Sequence, residues 1–254
     1  MKKWSSGAFF LLTITSFFAQ SGPPTTAKQV CRFIQTITTG WTYTPLRMAK
    51  AETQKEVFFS DLSGSNNTQA FFNAVKDINA IFGYEKIVGT LSTSSSINEG
   101  EIGVYLMPYL KSQRLLRDLH ATNNSFKNQW TSRVWFDNSM QISRSVVIIA
   151  SDRVRPDTLP FFFHRAILCA LGYPGWTTDF TDSIFYSGAP SEKTRPESEA
   201  FMNELDRAVL QFCDRHVAAD YSRSDIQKAF ISKWTEFASS YQPRKVAATP
   251  APAP

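Results

Sequence analysis

Phe161-Phe-Phe-His-Arg-Ala-Ile-Leu-Cys-Ala-Leu-Gly-Tyr173, followed ten residues later by Ser183-Ile-Phe-Tyr186, decides the fold. Its apolar positions run almost all the way round, which predicts a central buried helix over residues 158–171. Gly172 suits the end of that helix, and Pro174 prevents its continuation. Ahead of it, Val146-Val-Ile-Ile149 is apolar on both faces. That pattern predicts a strand over residues 142–150 at the centre of a sheet. A buried strand feeding a buried helix points to an α/β fold with a mixed, twisted sheet.

Outward from this centre, Val57-Phe-Phe59 reads as a short strand. Phe71, Phe72, Val75, Ile78 and Ile81 form one helix face, with Thr68 as a candidate N-cap and Gly83 at the end. Strands are expected over residues 86–91, 101–107 and 133–136, with Ile102, Val104 and Leu106 alternating as in a half-buried strand. Residues 108–119 read as helical. Two strong helices close the set. Residues 201–216 bury Leu205, Val209, Leu210, Phe212 and Cys213. Residues 222–241 bury Ile226, Phe230, Trp234 and Phe237, with capping character at 222–225.

With 254 residues, 43% hydrophobic and 21 Phe, the chain can build a sizeable core. Residues 1–21 read as a secretory signal. Lys2 and Lys3 precede an apolar run over 8–18, and Ala19-Gln20-Ser21 offers small residues for cleavage after Ser21. That run is short for a span, so no stable membrane span is expected after cleavage. Removal of Lys2 and Lys3 lowers the formal charge from +5 to +3. The remaining cations are scattered without an aromatic stripe, which argues against a nucleic-acid partner. Residues 22–54 read as a linker, a short helix over 26–37 and an arm. Residues 55–241 form the compact domain, and 242–254 an Ala/Pro-rich disordered tail. The expected location is periplasmic or secreted.

Several features then line up: the 142–150 strand, the helix ending Ala170-Leu-Gly172, Ser183-Ile-Phe185, Leu205-Asp-Arg-Ala-Val-Leu210, and Tyr221-Ser-Arg-Ser-Asp225. Together they resemble the bacterial family catalogued as domain of unknown function 2927, over roughly residues 55–240. That family in turn resembles a metzincin, a zinc protease, whose ligand helix has drifted. The resemblance implies a former ligand helix at 158–171, a turn at Ser183 equivalent to the Met-turn that floors a zinc site, and a supporting helix carrying Asp206. Asp206 is expected to hydrogen-bond backbone or hydroxyl groups of the Ser183 turn.

The zinc chemistry itself is missing. A metzincin helix carries histidines at i and i+4, a glutamate beside the first as general base, and a third ligand beyond the glycine. With Gly172 as that glycine, the four positions fall on Arg165, Cys169, Ala166 and Gly175. His164 lies about 100° round the helix from Arg165 and cannot replace it. It reads as a helix-flank histidine, with a metal role alongside Asp179 or Asp182 as the alternative. The family's usual acidic pair and glutamine are also replaced here. His120, His164 and His216 form no cluster, and there is no HExxH, CxxC or GxSxG. No metal or other cofactor is therefore expected.

Cys31, Cys169 and Cys213 make an odd number for an exported chain. Cys169 and Cys213 fall on apolar faces of helices that should pack together, so a disulfide and two buried free thiols are both open. The functional expectation is a non-catalytic binding or structural protein of the cell envelope with an unknown protein partner. Trp41, Tyr43, Trp176 and Tyr186 are its candidate surface. The alternative is a peptidase with an atypical site on the 158–186 helix and turn.

Overall fold

A computed structural model of the chain describes residues 26–38, 50–51, 53–92, 101–118, 129–180, 182–187 and 202–241. The signal segment, the tail, Trp41, Tyr43 and His120 lie outside them. The fold is mixed α/β, with five strands and seven α-helices among the described residues. The strands are β1 (Lys55–Asp61), β2 (Ile87–Leu91), β3 (Glu101–Met107), β4 (Trp130–Phe136) and β5 (Ile142–Ala150). They lie in the order β2-β1-β3-β5-β4. The first four in that order run parallel, and β4 is antiparallel to β5. The sheet centre is therefore β3, not β5. β3 is also buried on both faces and not half-buried, because its intervening residues Tyr105 and Met107 are covered from the second side.

The helices are α1 (Ala27–Thr38), α2 (Thr68–Phe82), α3 (Tyr109–Asp118), α4 (Leu159–Ala170), α5 (Glu204–His216), α6 (Arg223–Ser232) and α7 (Trp234–Ser240). On the inner face of the sheet, Val57, Phe59, Ile102, Val104, Val147 and Ile149 meet α2 and α4 in the main core. Phe59 stacks on Phe71 at 4.7 Å, and Phe163 meets both rings edge-on. Such ring pairs add roughly 0.5–1.5 kcal/mol each beyond their area burial. The outer face carries a smaller core of Tyr105, Met107, Val146, Ile148 and Ala150, covered by Leu116 of α3.

Four local expectations change. Asn67 and not Thr68 precedes α2, and its side chain binds the Asp61 carboxylate and not the helix end. Gly83 then closes α2 in the left-handed conformation. The last helical stretch is two helices, because the path breaks at Lys233. The third change is at α5, which begins later than residue 201. Asn203 accepts from Asp206 N–H, and the Asp206 carboxylate accepts from Asn203 N–H, a reciprocal cap. Finally, α1, placed by sequence outside the compact domain, packs Val30, Phe33, Ile34 and Ile37 into the main core. Lys50 and Ala51, the described residues of the expected arm before Thr53, are buried too, and Lys50 bridges Gln141 beside β5.

Candidate functional site

α4 enters through a short 3-10 turn, Pro156–Thr158, and is buried along nearly its whole length. Gly172 follows it with φ of 112°, a backbone that disfavours side chains with a Cβ. Its N–H donates to the Cys169 carbonyl, and Tyr173 N–H to that of Leu168, so the chain turns back over the helix. Residues 173–175 are thereby laid beside the Arg165 side chain.

Arg165, the residue that the resemblance aligns with a first zinc ligand, is fully buried. Its guanidinium donates to the carbonyls of Tyr173 (2.8 Å), Pro174 (2.8 Å) and Gly175 (2.6 Å). It also lies 4.2 Å from the Trp176 ring centre, 5.0 Å from that of Phe185 and 5.7 Å from that of Trp130. Aromatic faces of this kind stabilise a desolvated cation. Burial lowers the Arg165 pKa to about 10. The side chain stays cationic at neutral pH. Its Nε–H is buried without an acceptor among the described residues.

Cys169 and Gly175, which the resemblance aligns with the other two ligands, have surroundings of their own. Burial raises the pKa of Cys169, whose Sγ lies 3.2 Å from Ser132 Oγ on β4. A protonated thiol is neither a good nucleophile nor a metal ligand. Gly175 lies against α1, and its N–H donates to the Ile37 carbonyl at 3.1 Å. A Cβ at Gly175 would come within 1.8 Å of the Thr36 carbonyl oxygen, so no histidine fits there with α1 in place. His164 is buried and turned away from the turn. Nδ1 meets the Pro160 carbonyl at 2.7 Å, and Nε2 meets an Asp77 carboxylate oxygen at 3.0 Å. It ties α4 to α2. Asp179 faces Arg32 at 3.9 Å, and Asp182 is exposed. Among the described residues, no three His, Cys, Asp or Glu side chains gather as a metal site.

Ser183 and Asp206 meet at the floor of this region, both fully buried. Asp206 accepts from Ser183 Oγ (2.6 Å) and Ile184 N–H (2.9 Å) while also completing its own helix cap. One carboxylate therefore fixes the Ser183 turn to the start of α5. Above it, Thr177 N–H donates to Phe185 O and Ser187 N–H to Thr177 O, closing the loop on itself. Phe33 of α1 packs edge-on against Phe180 and Phe185.

Cys169 and Cys213 do not form a disulfide; all three cysteines are buried free thiols. Cys169 faces Ser132 of β4. Cys213 lies near Lys50 and Tyr173, and burial pushes its pKa up to about 12. The sequence signal of a shared apolar surface did not separate these two environments.

Sequence reasoning also missed Lys50, Asp77 and Trp130. Lys50 is buried, and its Nζ donates to the carbonyls of Cys213, Asp214 and Val217 at the end of α5. That is a cationic cap on a helix C-terminus. Lys50 lies in a stretch without periodicity, so nothing in its neighbourhood marked it. The cap at the other end of α5, Asn203-x-x-Asp206, was also missed, since the helix was expected to begin at residue 201.

Trp176, 40% exposed, and half-buried Tyr186 are the two members of the expected aromatic surface among the described residues. Trp130 lies 6.0 Å from Trp176. Comparison with protein-family models, curated proteins and solved structures returns no match for this chain.

Proposed function

We propose that this chain is an exported, non-catalytic protein built on a metzincin-like scaffold related to domain of unknown function 2927. It serves as a binding or structural protein of the cell envelope, with a protein partner. The observation that carries this reading is Arg165. A guanidinium held by three carbonyls fills the first-ligand position with a permanent positive charge, which repels a dication and has no lone pair to offer one. It cannot act as general base, and Ala166 supplies none. The turn that would floor a zinc site is instead held by Asp206, and α1 closes the third-ligand position. Each part of the former site serves the packing of residues 173–187. What remains at the surface is the Trp176–Tyr186 region, a candidate contact for the partner.

The test is hydrolysis of a mixed peptide library by the purified mature protein, with and without added zinc and with a chelator control. No cleavage above background is expected. Cleavage that persists through purification and is abolished by changes at Arg165, Cys169 or Asp179 would establish the peptidase alternative.

A further inference from the structure

The outer face of the sheet carries a charge pattern that the folding of the core does not use. α3 lies on that face with Ser112 and Leu116 turned inward. At about 100° per residue, Lys111, Arg114 and Arg117 fall on its opposite side, and all three are exposed. Leu110 lies between Arg114 and Arg117 on the same side and is 79% exposed, the most exposed large apolar side chain among the described residues. Beside α3, the outer-face residue Trp135 of β4 has two guanidinium groups over its ring, Arg133 at 4.9 Å and Arg144 at 4.5 Å. The same face holds the carboxylates Glu101, Asp118 and Asp152, of which Asp152 accepts from Tyr109 N–H. Among the described residues, Lys111, Arg114, Arg117 and Arg144 form no ion pair with any carboxylate.

We propose that the outward side of α3, with Leu110 set among Lys111, Arg114 and Arg117, docks the protein onto an anionic phospholipid surface. Charge complementarity argues for an anionic partner, because three cations face outward from α3 against the one carboxylate of Asp118, and among the described residues none of the three is ion-paired. The exposed leucine on the same side, at the start of the helix, selects a membrane over a nucleic acid or an anionic polysaccharide. An aliphatic side chain gains nothing against a hydrated phosphate chain, but it enters the boundary between lipid headgroups and acyl chains. Basic residues next to an anionic leaflet add attraction additively, each by about fivefold in partitioning, and the attraction falls off within a Debye length. This inference does not depend on the metzincin-like reading, since α3 lies on the sheet face away from α4.

The test is co-sedimentation of the full chain with phosphatidylcholine vesicles, with and without phosphatidylglycerol. The comparison protein carries Lys111→Gln, Arg114→Gln and Arg117→Gln, exposed changes that keep good helix formers. The N-terminal apolar run is common to both proteins, so the comparison isolates α3. The expected result is binding that requires phosphatidylglycerol, weakens with salt, and falls on the order of 100-fold in the triple variant. Leu110→Ser should lower the part of the binding that survives high salt. Equal binding by the triple variant, or equal binding to neutral vesicles, overturns the proposal. So does retention on heparin or DNA without binding to vesicles.

Discussion

Replacing Arg165 by methionine should destabilise the fold more than any conservative change elsewhere on α4. The substitution keeps much of the apolar stem and removes the guanidinium. It leaves the carbonyls of Tyr173, Pro174 and Gly175 without their donor. A buried acceptor left unpaired costs about 1–3 kcal/mol, so three give roughly 3–9 kcal/mol before any offset. The offset is the guanidinium's own desolvation, several kcal/mol, which the variant no longer bears. The net loss should be about 3–5 kcal/mol, a large share of the roughly 5–15 kcal/mol that holds a typical domain. Equilibrium urea unfolding with an unchanged slope measures it directly. Tryptophan emission should shift as well, because Trp176 and Trp130 lose the cation they face. Arg165→Lys should fall between the two, since an ammonium keeps the charge but lacks the planar fork. A methionine variant within about 1 kcal/mol of the parent would refute the claim that this side chain holds residues 173–175.

Three further outcomes are expected. Gly175→Ala should loosen α1, because its Cβ meets backbone on the Thr36 side at 1.8 Å; faster amide exchange confined to residues 27–38 and their contacts would show it, and unchanged exchange would count against it. The hydrogen bond from His164 is the largest cause holding the Asp77 pKa below the ordinary carboxylate value, so Asp77 stabilises the fold above about pH 4 and loses that contribution as pH falls through its folded pKa. The stability gap between the parent and Asp77→Asn should therefore be full at neutral pH and close in acid; a gap that widens in acid would reverse the assignment. Cys169 and Cys213 should resist alkylation in the folded protein at mildly basic pH, with all three thiols reacting once the chain is unfolded, since burial raises the pKa of both; a mass consistent with a disulfide would contradict the free-thiol assignment.

Much of this architecture was legible because it rests on periodicity. Phe71, Val75 and Ile78 mark one face of α2, and Val146-Val-Ile-Ile149 marks a doubly covered strand. The position of β3 at the sheet centre was not legible, because Gly103 and Tyr105 do not advertise a second covered face. The break at Lys233 escaped for a similar reason. Ile226, Phe230, Trp234 and Phe237 keep a helical spacing through it, so the apolar pattern hides the change of direction. Within the site, Ser183 was reached through the family resemblance, while Gly172 could be singled out as a helix end followed by Pro174, and Asp206 as the one charge on a helix face that reads as partly buried. The interior role of Arg165 could not, because its partners are backbone carbonyls eight to ten residues on, and carbonyls are the same in every residue. Lys50 was invisible for the same reason.

The most direct test of the account is the metal content of the purified mature protein, prepared without a histidine tag and dialysed against dilute zinc. With Arg165, Ala166, Cys169 and Gly175 at the four positions that the proposed metzincin-like alignment gives to the zinc chemistry, the account predicts no stoichiometric metal. About one zinc per chain, lost on changing His164, Cys169, Asp179 or Asp182, would contradict it.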